Sequence, residues 1–171
     1  MTIDVAKTAA LLFVAAVLQV SIVSSIQIAE GTPDLVLVTL VAIALLRGAV
    51  VGALAGFFVG LLLDTAYLGR LGETSFLLTL AGYWIGRYGE TTGRDRSHAP
   101  LLSVGVITIL YAAGTLALHV VLGDPVDARL VLLDSLVPSA LLNLLLTVPV
   151  YAVVRRILGR PEWAPEVRLL G

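Results

Sequence analysis

Residues 47–64 read Arg47-Gly48-Ala49-Val50-Val51-Gly52-Ala53-Leu54-Ala55-Gly56-Phe57-Phe58-Val59-Gly60-Leu61-Leu62-Leu63-Asp64. Gly48, Gly52, Gly56 and Gly60 recur at every fourth position, and Asp64 continues the series. In a soluble helix each interior glycine costs about 1 kcal/mol relative to alanine. A bilayer changes the balance, because lipid does not push helices together and small residues let backbones approach. The stripe slants across its helix as an i±4 ridge, which packs at a crossing angle of about −40 to −50°. Ala53 and Ala55 widen the smooth surface, and Gly82 and Gly86 repeat the spacing further on. The expectation is that these two helices cross closely at the centre of a membrane bundle.

Composition agrees outward from this segment. Of 171 residues, 58% are hydrophobic and 13% charged, against roughly 25% charged in a soluble domain. Apolar runs follow one another along residues 1–171 with only short connectors, which predicts a single integral membrane domain. The chain has no cysteine, so disulfides, thiolate catalysis and cysteine-ligated metals are excluded. A net charge of −1 says less than where the charges fall.

Six spans are expected: Thr8–Ile28, Leu35–Leu46, Ala49–Leu63, Ser75–Gly86, Leu101–Leu122 and Ser135–Val154. The first, at about 1.5 Å per residue, is long enough to cross and too long for a signal-peptide core, so it should be retained. Merging the second and third into one helix would strand Arg47 near mid-bilayer, at about 2.5–3.5 kcal/mol on insertion scales. A tight hairpin at Arg47-Gly48 avoids this. With both termini in the cytoplasm, Lys7, Arg47, Arg87, Arg94, Arg96, Arg155, Arg156, Arg160 and Arg168 lie inside; only Arg70 and Arg129 lie outside. The positive-inside rule favours that orientation. Tyr83, Trp84 and Tyr88 around Arg87 fit an interfacial aromatic belt. Asp134 and Ser135 before Pro138 suggest a capped start for the last helix, and Pro125 to Leu133 is short enough to lie along the outer surface.

Asp64 falls at a helix C-terminus, where the dipole disfavours an anion. It therefore needs a partner, either Arg70 in the same loop or the free amides near Thr74 and Ser75. A loop-closing hydrogen bond is the plain role; facing a ligand or partner is the sharper one. In the first span Ser24 and Gln27 could line a helix contact, with Gln19 too far round to join them. Asn143 and Thr147 predict an interhelical bond on the order of 1 kcal/mol, and Pro149 a kink that frees a carbonyl near Leu145. His119 reads as an interface residue and His98 as solvated.

Neither histidine has HExxH or CxxC company, and no G-x-S-x-G or Walker loop occurs. The charges fall at span ends, not in a mid-membrane relay. No cofactor and no enzyme activity are expected, which leaves a binding or scaffolding membrane protein.

Thr32-Pro33-Asp34 before an apolar hairpin, then Arg47-Gly48-Ala49-Val50-Val51-Gly52, Gly56-Phe57, Gly60-Leu61, Asp64 and Leu68-Gly69-Arg70-Leu71-Gly72, resemble the rod shape-determining MreD family. The motif-level likeness runs from Pro33 to about Arg87 and elsewhere follows hydropathy alone. Ala49 departs from the proline that often follows the hairpin glycine in relatives. The resemblance implies an all-α six-transmembrane-helix bundle, similar to the substrate-binding (S) component of energy-coupling-factor transporters. It also implies a place in the bacterial inner membrane within the cell-elongation machinery, with the MreC transmembrane helix as partner. MreB, RodA and a class B penicillin-binding protein would be indirect partners. Pro33, Asp34, Arg47, Asp64 and Gly72 would then be motif residues available to a partner.

The rival is a true S component that binds a vitamin or metal. Its pocket would have to come from Tyr67, Arg70, Glu73, His119 and Arg129, a sparse set for a polar ligand. A small lipid-binding or lipid-flipping protein fits the same spans.

Overall fold

A computed structural model describes residues 2–25, 31–92, 98–123 and 135–159. Among them run six α-helices: α1 (Thr2–Ser21), α2 (Leu35–Arg47), α3 (Ala49–Ala66), α4 (Glu73–Thr92), α5 (Ala99–Val121) and α6 (Leu136–Leu158). A short 3-10 turn, Val23–Ser25, follows α1. α1, α3, α5 and α6 are long and apolar enough to cross a membrane. Phe13, Leu54, Phe58, Leu110, Leu141 and Leu145 point outward from them, the surface that acyl chains would cover.

The centre belongs to α2, not to the α3–α4 crossing expected above. Every residue from Val36 to Arg47 is buried, and α2 packs against all five other helices. Its 13 residues make a rod about 20 Å long, short of a hydrocarbon core of about 30 Å. Enclosure explains how so short a helix is tolerated, since backbone polar groups at membrane depth need only be satisfied within protein. α3 instead lies at the periphery, with Val50, Leu54, Phe57, Phe58 and Leu62 exposed on its outer side.

Several helices extend past their apolar runs. α1 begins at Thr2, taking in Asp4 and Lys7, and α4 extends from Glu73 to Thr92, beyond Ser75–Gly86 at both ends. Charged residues stop hydropathy but not helix hydrogen bonding, so helices outrun their apolar segments. The regular turns of α1 stop at Ser21; Gln27 and Ile28 lie outside the described residues, as do Pro125 to Leu133, Asp134, Arg94, Arg96, Arg129, Arg160 and Arg168. Ser135 stands at the start of α6 but makes no side-chain capping bond there.

The helix ends sort into two groups. At one end Arg47 donates to Asp4 at 3.1 Å and to the Leu158 carbonyl, so the start of α1, the end of α2 and the end of α6 meet. Gly48, with φ of 91°, makes the reversal into α3 in a conformation that glycine adopts without strain. At the other end the chain around Pro33 and Asp34 is tied to α1 and α6.

Candidate functional site

The glycine stripe of α3 is pressed against α4. A Cβ added at Gly52 would come within 3.0 Å of the Gly82 carbonyl, at Gly56 of the Leu78 carbonyl, and at Gly60 of the Ser75 backbone. Reciprocally, a Cβ at Gly82 would meet the Gly52 carbonyl, and one at Gly86 the backbone of Gly48 and Ala49. Ser75 Oγ adds a bond to the Phe57 carbonyl at 2.9 Å. With no side chain between them, the two backbones gain dispersion contact along the whole crossing.

Each end of this pair is closed by a carboxylate. Asp64, buried in the last turn of α3, accepts the amides of Gly72 (2.8 Å), Thr74 (3.0 Å) and Ser75 (3.3 Å) at the start of α4. Gly72 presents its amide with φ of 97°, again a conformation that suits glycine. The α4 N-terminus thus supplies the positive dipole that offsets the unfavourable end of α3. At the opposite end Glu90, near the end of α4, accepts the Ala49 amide at the start of α3 at 2.8 Å. The signal for Glu90 lies in the sequence, where Gly82, Gly86 and Glu90 repeat the spacing of Gly56, Gly60 and Asp64.

A second polar network fixes the entry to α2. Gln19, buried on α1, donates from Nε2 to the Pro33 carbonyl (3.1 Å) and accepts the Leu35 amide on Oε1 (2.8 Å). Asn143 of α6 accepts the Asp34 amide (2.7 Å) and donates to Thr108 of α5 (3.2 Å). Asp34 caps α2 through the Leu37 amide at 2.8 Å, while burial of its carboxyl pushes it above the usual carboxylate range. Gln19 therefore makes the interhelical contact expected of Ser24, whose hydroxyl donates to the Val20 carbonyl at 3.0 Å. Thr147 likewise turns back onto the Asn143 carbonyl.

The remaining polar residues fall into place locally. His119 sits 2.8 Å from the Thr115 carbonyl and 3.4 Å from Glu73. His98 is exposed at the start of α5, and Tyr83 and Trp84 form an exposed edge-to-face pair. Asp34, Arg47 and Asp64 each hydrogen-bond to partners within this chain.

A groove of about 700 Å³ opens to the side between α1 and α3. Val5, Leu12, Phe13, Leu54 and Phe58 line it together with the smaller Thr8, Ala9 and Ala55. Sequence patterns did not point to it, because it arises from how the outer side of α3 meets α1.

Helices that bury polar ends in one another and turn apolar sides outward define an integral membrane bundle. The chain belongs to the MreD family: the model of rod shape-determining protein MreD matches residues 3–160. That family ties the bundle to the determination of rod cell shape. No match was found among curated proteins or among solved structures, so the likeness to a transporter S component has no support from a solved fold.

Proposed function

We propose that this chain is a non-enzymatic scaffold of the bacterial inner membrane that crosses six times with both termini in the cytoplasm. It binds the transmembrane helix of MreC and thereby helps couple MreB filaments to peptidoglycan synthesis by RodA and a class B penicillin-binding protein. Family membership supports the role in cell shape. The meeting of Asp4, Arg47 and Leu158 supports an even number of crossings.

One observation carries the choice of surface. The glycine ridge, the obvious helix-docking stripe, is covered by α4, so the partner helix is assigned to the apolar α1–α3 groove of about 700 Å³. The small Thr8, Ala9 and Ala55 in its lining let a helix approach closely, and Phe13 and Phe58 offer side chains to pack on. A photo-crosslinking residue placed at Leu54 or Phe58 in cells should capture MreC, whereas one at Leu110 or Leu141 should not. Capture only from Leu110 or Leu141 would move the partner elsewhere, and no capture from any position would remove MreC as a direct partner.

A further inference from the structure

Between the start of α5 and the last turns of α6 lies a cleft of about 530 Å³. Pro100, Leu101 and Val148 form its apolar wall, and Tyr151, Arg155 and Arg156 its polar end. Leu101 and Val148 are exposed, as are both arginines. Among the described residues no carboxylate pairs with Arg155 or Arg156. Arg87, at the same end of the bundle, is matched instead by Glu90 at 3.3 Å.

We propose that this cleft binds one anionic phospholipid, its phosphate on Arg155 and Arg156 and an acyl chain laid along Leu101 and Val148. Two guanidiniums lining one cleft can pair with the oxygens of a phosphodiester. Basic pockets between membrane helices attract anionic headgroups in this way. The start of α5, which borders the cleft, adds the positive end of a helix dipole. A soluble anion such as free phosphate would satisfy the arginines but leave the apolar wall uncovered, which is why the occupant is a lipid. The cleft is separate from the α1–α3 groove, and lipid binding there requires only that α5 and α6 cross the bilayer.

The test uses the full chain in detergent micelles with phosphatidylglycerol carrying a photoreactive acyl chain, and phosphatidylcholine with the same chain as comparison. The phosphatidylglycerol probe should label peptides of α5 and α6 around Leu101 and Val148, and phosphatidylcholine should label them far less. Arg155→Gln and Arg156→Gln should each weaken labelling roughly fivefold, the effect of one basic residue at an anionic surface. Val148→Trp should reduce it with the charge untouched, and Arg87→Gln should not. Equal labelling by the two lipids, equal loss in Arg87→Gln, or full competition by inorganic phosphate at matched ionic strength would overturn the proposal. Should the variants fail to accumulate, the wild-type map decides, and labelling away from α5 and α6 refutes it.

Discussion

Asp64 and Glu90 stand at opposite ends of the antiparallel α3–α4 pair, and each caps the helix it does not belong to. Between them the two backbones touch through Gly52, Gly56, Gly60, Gly82 and Gly86. The pair is therefore closed at both ends by charge and along its length by the absence of side chains.

Removing the charge of Asp64 should loosen one end. Asp64→Asn replaces charge-assisted bonds to amides by weaker neutral ones, a loss of about 1–2 kcal/mol. Asp64→Ala leaves those amides without an acceptor and should cost more, about 2–4 kcal/mol. Thermal unfolding of the purified variants checks the order, and equal melting of the two would contradict it.

Arg47 ties three helix ends together from a buried position. Arg47→Leu should destabilise the bundle by about 2–4 kcal/mol, because Asp4 and the Leu158 carbonyl lose their donor. Asp4 is partly exposed, so Asp4→Asn should cost only about 1 kcal/mol. Together the two substitutions should cost less than their sum. Additive losses would show that the pair does not act as a unit.

Asp34 behaves differently because its carboxyl is desolvated and pushed up. A carboxyl raised in the folded state favours folding while protonated, and that contribution fades as pH rises through the raised value. Asn caps helices as well as Asp does, so Asp34→Asn should be at least as stable as the parent at neutral pH. The difference should shrink as the solution is made acid. A variant that melts lower at pH 7 would show that the charge itself is needed.

Asn143 joins α5 and α6 to the loop before α2. Asn143→Ala should lower stability by about 1–3 kcal/mol, since the Asp34 amide and the Thr108 hydroxyl lose a buried partner. The same assay reads it, and an unchanged melting temperature would mean that another group takes over those bonds.

What could be read before the fold was known divides on physical lines. The four-residue glycine spacing and the carboxylate that ends it carry their meaning locally, since both the ridge and its need for donors follow from helix geometry. Gln19 could not be placed the same way, because its partners are the Pro33 carbonyl and the Leu35 amide, and backbone groups carry no residue identity. The central position of α2 was also hidden. A run that is apolar on every side reads the same whether lipid or protein surrounds it, and only the packing of its neighbours encloses α2. For the same reason the groove between α1 and α3 has no sequence signature.

α3 and α4 lie backbone against backbone. Melting temperatures of Gly56→Ala and Gly105→Ala, compared in the same micelles, test it most directly. A methyl group at position 56 would collide with the Leu78 backbone, whereas one at 105 would sit 3.8 Å from Leu144 in ordinary contact. Gly56→Ala should lose about 1–3 kcal/mol through overpacking, and Gly105→Ala should melt unchanged or higher through its better helix propensity. Equal melting of the two would mean that the α3–α4 backbones are not in contact.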